Sequence, residues 1–164
     1  MRIIRVKNPV GIDYMAGHFD DLYKEEGIDI EVIKDGLKTC LMTDLDNTLV
    51  LQAWEGEELI AFLVALNVAN YKHVFLDQAW SDPKNPPEVM DKLFFRLLMW
   101  VDYLGKKQIR LETSRNAEAM TRKWNFVQHS VIMKFDLSDT YESDYVALVR
   151  KSKEKNDIPK SGTS

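Results

Sequence analysis

The sequence predicts a single α/β (α+β) domain, with a central mixed, mostly antiparallel sheet flanked by helices. The expected order is β-α-α-β-β-β-α-β-α-β. Three observations lead there. Two β-rich runs, residues 48–54 and 59–68, are separated by Glu55-Gly56-Glu57-Glu58, the pattern of a hairpin. The second run, Leu59-Ile60-Ala61-Phe62-Leu63-Val64-Ala65-Leu66, is apolar at every position, as expected of a central strand covered on both faces. A further strand, residues 73–80, passes through Ser81-Asp82-Pro83-Lys84-Asn85-Pro86-Pro87-Glu88 straight into an apolar helix.

Composition narrows the class. The 164 residues are 45% hydrophobic and 29% charged, enough for one core and too few for two comfortable domains. A net charge of −4 gives no reason to expect a nucleic-acid surface. The single cysteine, Cys40, excludes an internal disulfide and a cysteine-based metal site. No apolar run is long enough for a bilayer, and the first residues, Met1-Arg2-Ile3-Ile4-Arg5-Val6, lack the small-residue cleavage site of a secretion signal. A cytoplasmic protein without membrane or nucleic-acid partners is the expectation.

Element by element, residues 2–8 read as a short strand closed by Asn8-Pro9. Ile12, Met15, Phe19, Leu22 and Tyr23 recur at helical spacing, with Gly27 as a stop. Leu37, Leu41 and Leu45 suggest a second short helix. After the hairpin, Asn70-Tyr71-Lys72 turns the chain into the strand 73–80. The helix that follows carries Val89, Leu93, Leu97, Val101 and Leu104 on one stripe, widened by Phe94, Leu98 and Trp100, and so is expected to pack on a sheet. Gly105-Lys106-Lys107 ends it with a glycine and positive charge. Residues 109–113 form a strand and 117–124 a short helix. Val127, His129, Val131, Met133, Phe135 and Leu137 alternate with more polar neighbours as a last strand. Residues 138–150 read as an extension packing on the body or a partner. Residues 151–164, charged and then Ser/Gly-rich, read as a flexible tail.

At the start of the apolar helix, Asn85 has the character of an N-cap, because the following proline biases it to the extended conformation a cap uses. Pro86 and Pro87 would then occupy the first helical positions, where a missing N–H costs least. Glu88 would complete a capping box, with the Asn85 side chain taking the Glu88 amide.

Three fragments, in this order and spacing, resemble the GNAT superfamily of acyl-CoA-dependent N-acyltransferases over residues 2–137. Glu57-Glu58-Leu59-Ile60-Ala61-Phe62-Leu63 is similar to the family's hairpin strand. Asp82-Pro83 falls where the family often has a proline after its fourth strand. Thr113-Ser114-Arg115-Asn116-Ala117-Glu118-Ala119, then Trp124-Asn125-Phe126 and a strand closing on Met133-Lys134-Phe135-Asp136-Leu137, is similar to its C-terminal half. The resemblance implies a GNAT-like domain over residues 1–137 and acyl transfer from acetyl-CoA to an amine. It implies Asp77 or Glu112 as the base, and Gln78, Ala79, Trp80 and Asn116 as cofactor-binding residues.

Two departures from that family imply an alternative. The family's turn after the proline is glycine-rich and holds the pyrophosphate on its amides. Here Pro86, Val89 and Asp91 stand at its key positions, with Glu88 adding another carboxylate. The family's general-acid tyrosine would fall near Thr121, beside Arg122 and Lys123, and that helix has no tyrosine. The alternative is a non-catalytic GNAT-fold binding or assembly component with no cofactor. Such a component could belong to a bacteriophage particle, and its homo-oligomer or protein partner would meet the C-terminal tail. Asp77 and Glu112 equally suit solvated strand positions. His18, His73 and His129 share no metal-ligand spacing, and His129 suits a buried imidazole. Cys40 suits a packed thiol beside Leu41. Trp54, Trp80, Trp100 and Trp124 suit a core as well as a pocket. Asp44-Leu45-Asp46-Asn47 lacks the glycine and closing glutamate of a calcium loop. No metal is expected.

Overall fold

In the computed structural model, residues 1–23, 27–111 and 126 are described. The chain divides into two units, Met1–Ser114 and Arg115–Ser164, and every described element lies in the first. Those elements are β1 (Arg2–Arg5), α1 (Val10–Ala16), α2 (Phe19–Tyr23), α3 (Ile30–Thr43), β2 (Thr48–Glu55), β3 (Glu58–Asn67), β4 (His73–Ser81), α4 (Glu88–Tyr103) and β5 (Gln108–Leu111). The expected last helix and last strand, with the 138–150 extension and the tail, fall outside the described residues.

The five strands lie in the order β1-β2-β3-β4-β5, antiparallel except for the parallel pair β4–β5. That is the mixed, mostly antiparallel sheet the sequence implied. The hairpin β2–β3 turns at Gly56, whose φ of +60° a residue with a Cβ rarely adopts. β3 is the middle strand, and Ala61, Phe62, Leu63, Val64 and Ala65 on it are all fully buried. Alternation along the strand sends Phe62 and Val64 to the core shared with α1, α2 and α3. The odd positions between them point to the opposite face, where α4 crosses β2, β3 and β4.

The periodic run 12–23 forms two helices rather than one, with the break at Gly17-His18. His18 N–H still bonds to the Met15 carbonyl at 2.9 Å before the chain turns. The next helix, α3, is longer than Leu37, Leu41 and Leu45 alone suggested. It starts at Asp29, whose extended backbone (ψ 117°) and carboxylate, accepting from Glu31 N–H at 2.9 Å, make a working N-cap. Lys38 pairs with Asp13 at 2.7 Å and ties this helix to α1. On α4, Val89, Leu93, Phe94, Leu97, Trp100 and Val101 are buried as the stripe predicts and Met90 joins them, but Leu104 is half-buried and Leu98 exposed.

Two polar groups pin the layers together. Gln52 of β2 is 1% exposed; its Nε2 donates to the Gly11 carbonyl at 2.7 Å, and its Oε1 accepts from Trp54 Nε1 at 3.2 Å. Gly11 has to be glycine here because an added Cβ would collide with a methyl of Val6. Arg5 donates to the carbonyls of Leu45 and Thr48 at 3.0 and 3.2 Å and so joins β1 to the entry of β2.

Gln52→Leu keeps the volume but strands the Gly11 carbonyl. Urea unfolding should show a loss of about 1–3 kcal/mol, and no loss would remove Gln52 from this role. His73 is buried between Tyr71 and Phe75, with ring centroids at 5.1 and 4.4 Å. Desolvation first, then the charges of Arg110 and Lys106, lower its pKa below 6.5. A lowered pKa means the folded state favours neutral imidazole. Its stabilising contribution is therefore complete above 6.5 and fades as the pH falls through the folded-state value. Between about pH 7.5 and 5.5 the urea midpoint should fall for the wild type and fall less for His73→Phe.

Candidate functional site

Parallel pairing of β4 with β5 is described from His73/Gln108 to Leu76/Leu111, and β4 runs on to Ser81 past the last described pair. The irregularity in β4 sits at this point. Partners on β3 step from Val64, opposite Gln78, to Ala65, opposite Leu76, so Asp77 is an extra, bulged residue. A bulge re-aims the side chains beside it and interrupts the ladder, which frees backbone groups for other partners.

Asp77 is solvent-exposed, yet the protein crowded round the bulge desolvates its carboxyl enough to raise the pKa. A side-chain hydrogen bond with Gln78 acts in the opposite direction. Gln78 is 5% exposed and faces the α1–α3 side with Val64, and its Oε1 is buried without a hydrogen-bond partner. A buried carbonyl oxygen in that state costs about 1–3 kcal/mol unless a donor arrives. Ala79 is half-buried and pairs with Leu63.

Trp80, two positions beyond Gln78, is buried in an aromatic stack. Its ring centroid lies 5.6 Å from that of Phe62 and 3.8 Å from that of His18, both rings stacked, and its Nε1 donates to Asp21 at 3.2 Å. Thus the α1–α2 turn is held over the end of β4 by contacts between residues far apart in sequence. The fold gathers Asp77, Gln78 and Trp80 at this end of β4 and adds His18 and Asp21 to them. Sequence reasoning missed the last two, since no local signal marks residues whose role depends on packing against position 80. Glu112, Asn116, Thr121 and His129 fall outside the described residues.

The turn into α4 differs from the capping expectation. Helix α4 begins at Glu88, and its N-cap is Pro87 (φ −57°, ψ −23°) with no side-chain cap bond. The Asn85 side chain is used elsewhere. Its Nδ2 donates to the Ile60 carbonyl on β3 at 2.6 Å and to Ser81 Oγ at 3.3 Å. The rigid prolines already hold the helical entry, so a cap would add little there.

Asp82 organises the rest of the turn. Its N–H bonds to the Ile60 carbonyl at 3.0 Å, its Oδ1 accepts from Lys84 N–H at 2.8 Å, and its carbonyl accepts from Asn85 N–H at 2.9 Å. Val89 and Asp91 donate to the carbonyls of Pro86 and Pro87 at 3.1 and 3.2 Å. With Pro83, Pro86 and Pro87 lacking N–H, only the Glu88 and Met90 amides stand outside this pattern, and the first of these belongs to a carboxylate residue. A pyrophosphate needs several convergent N–H groups and little negative charge, so this turn does not fit one.

Two open clefts lie away from the end of β4. One, of about 670 Å³, lies between β1, α1 and the hairpin, and Arg2, Lys7, Tyr14, Gln52, Trp54 and Glu57 are among its walls. The other, of about 880 Å³, lies between β1–β2 and α4. Neither contains Asp77, Gln78 or Trp80, so volume does not choose the site; the bulge and the unpartnered Gln78 oxygen do. Among the described residues, no group of three His, Cys, Asp or Glu side chains could hold a metal, and no helix is long and apolar enough to cross a membrane.

Solved structures share the arrangement. A predicted acetyltransferase of Clostridium acetobutylicum with acetyl-CoA superposes with a TM-score of 0.67 at 13% identity, covering 83% of this chain and 96% of that one. A possible acetyltransferase of Clostridium difficile 630 gives 0.65 at 17% identity, over 82% and 95%. The aminoglycoside acetyltransferase AAC(6')-Iy, in complex with a bisubstrate analogue of CoA and acetylneamine, gives 0.63 at 17% identity, over 82% and 96%. No protein-family model and no curated protein matches the chain. At such identities the likeness shows the fold, that of the GNAT acetyltransferases.

Asn85→Asp distinguishes the two roles of that residue. Aspartate caps a helix as well as asparagine but cannot donate to Ile60. Unfolding of Asn85→Asp and Asn85→Ala should therefore show similar losses, on the order of 1 kcal/mol or more. An aspartate variant as stable as wild type would restore the capping role.

Proposed function

We propose that this GNAT-fold chain is an acetyltransferase-like protein that transfers an acyl group to the nitrogen of an amine, with Asp77 as its base. The bulge at Asp77 carries the reading. It places a carboxylate of raised pKa next to a buried, unpartnered acceptor, Gln78 Oε1, toward the end of β4. An ammonium arriving there would donate one N–H to Gln78 and lose a proton to Asp77. A carboxylate of raised pKa is the better-matched base for that transfer. His18, stacked on Trp80, and Asp21 would form the wall on the α1–α2 side, where the Asp21 carboxylate favours a cation. Support from outside the chain comes from neighbours of the same fold solved with acetyl-CoA and with a bisubstrate analogue that joins CoA to acetylneamine.

The turn into α4 favours a second reading, a non-catalytic GNAT-fold binding or assembly component. Its mostly spent amides, its three prolines and the carboxylates of Asp82 and Glu88 are unsuited to the anionic part of acyl-CoA.

Titration calorimetry with acetyl-CoA and with CoA separates the two. Binding with a Kd tighter than about 1 mM supports the acyltransferase, and no heat at that concentration sinks it. In an acetyl-transfer assay with a panel of amines, Asp77→Asn should lower turnover by about 10²-fold or more. The sign of its stability effect is also set. A raised folded-state pKa contributes stability only at low pH, and that contribution is lost as the pH rises through the raised value. At neutral pH, Asp77→Asn should therefore melt no lower than wild type, so that lost activity is not lost folding.

A further inference from the structure

Helix α4 is apolar on two sides. The side facing the sheet is buried. On the other, Phe95 is 63%, Leu98 45%, Met99 60% and Tyr103 84% exposed. Phe95, Met99 and Tyr103 follow one another at intervals of four residues and so form a single row along the helix. The row borders the cleft of about 880 Å³, whose floor and walls include Ile3, Leu49, Leu51 and Trp100. The apolar surface therefore continues from the helix onto the β1–β2 face of the sheet. Single exposed apolar residues need no explanation, but a contiguous row beside an apolar groove marks an interaction surface.

We propose that this face of α4 is the interface of a two-fold homodimer, in which the α4 helices of two copies pack antiparallel about a centre between Phe95 and Met99. The charges choose the partner and the direction. Exposed Lys92 lies toward the N-terminal end of the row and exposed Asp102 toward the other; Lys106 lies past Gly105, and its Nζ donates to the Tyr71 carbonyl at 2.6 Å. Setting Phe95 opposite Met99 of the second copy brings Lys92 opposite Asp102. By symmetry this pair occurs twice, once at each end of the contact. Parallel packing would instead set Lys92 against Lys92 and Asp102 against Asp102. The helix has 16 residues, about 24 Å of contact length. Apolar side chains at the centre with opposite charges at both ends are the usual anatomy of a stable interface. The surface is separate from the end of β4, so the dimer does not depend on the acyltransferase reading.

Sedimentation equilibrium of the full chain up to about 100 µM should show twice the chain mass. Phe95→Glu and Met99→Glu, which alter exposed positions, should each weaken association about tenfold or more while leaving the circular dichroism and the melting temperature of the monomer unchanged. Lys92→Glu should also weaken it, and Lys92→Glu combined with Asp102→Lys should restore it, because reversing both charges recreates the pair. A monomer at every concentration overturns the proposal. So does a dimer indifferent to Phe95→Glu and to the charge reversal, which would place the interface elsewhere. A monomer that melts lower with Phe95→Glu would instead show residues 112–164 of the same chain covering the face, and that also overturns it.

Discussion

The two-sided burial of β3 is the constraint from which the other features follow. A strand with Phe62 and Val64 on one face and Ala61, Leu63 and Ala65 on the other cannot sit at an edge or face water. Each face must be roofed, by α1, α2 and α3 on one side and by α4 on the other. Burial of these side chains contributes about 0.8 kcal/mol per methylene removed from water, which over the strand outweighs any single polar contact in the layers. The polar contacts then choose among otherwise equivalent packings. Gln52 fixes where α1 crosses the sheet, because its amide reaches one carbonyl, that of Gly11. Asn85 and Asp82 likewise fix where the chain leaves β4, since both bond to the Ile60 carbonyl on β3.

That same demand on the turn has a functional consequence. A strand-to-helix turn binds phosphate when its amides are idle and its residues small. Here the Asp82 amide holds the turn against β3, the amides of Lys84, Asn85, Val89 and Asp91 bond within the turn and the first helical turn, and the prolines supply rigidity rather than donors. The candidate site is shifted back along β4, to the bulge. There Asp77 is pushed out of the ladder and Gln78 keeps a buried oxygen without a partner. The helix α4 that starts from this turn is thus held at its beginning by prolines and by packing, and its outer row of Phe95, Met99 and Tyr103 stays exposed.

Much of this is legible in the sequence. The hairpin, the central strand and the α4 stripe follow from local periodicity, which depends only on the neighbours a side chain meets within one element. Asp77, Gln78 and Trp80 can be grouped because three nearby positions on one strand stay close however the strand packs. Leu98 and Asn85 mislead for the opposite reason. Leu98 fits the apolar stripe by spacing, but it lies where the helix surface curves away from the sheet and is 45% exposed. Asn85 has every local mark of a cap, and a carbonyl on a strand 25 residues earlier takes its side chain instead.

By itself, then, the sequence determined the types of the described elements, the central place of β3, the mixed sheet and the proline-rich entry to α4. These depend on backbone and side-chain properties that act within a few residues, such as the missing N–H of proline and the two-residue period of a strand. Only the tertiary structure decided the bulge at Asp77, the stacking of His18 on Trp80, the bond from Trp80 to Asp21, and the exposure of the Phe95–Tyr103 row. Each of these is a relation between surfaces brought together from distant parts of the chain. Register, stacking and exposure exist only once those surfaces have met.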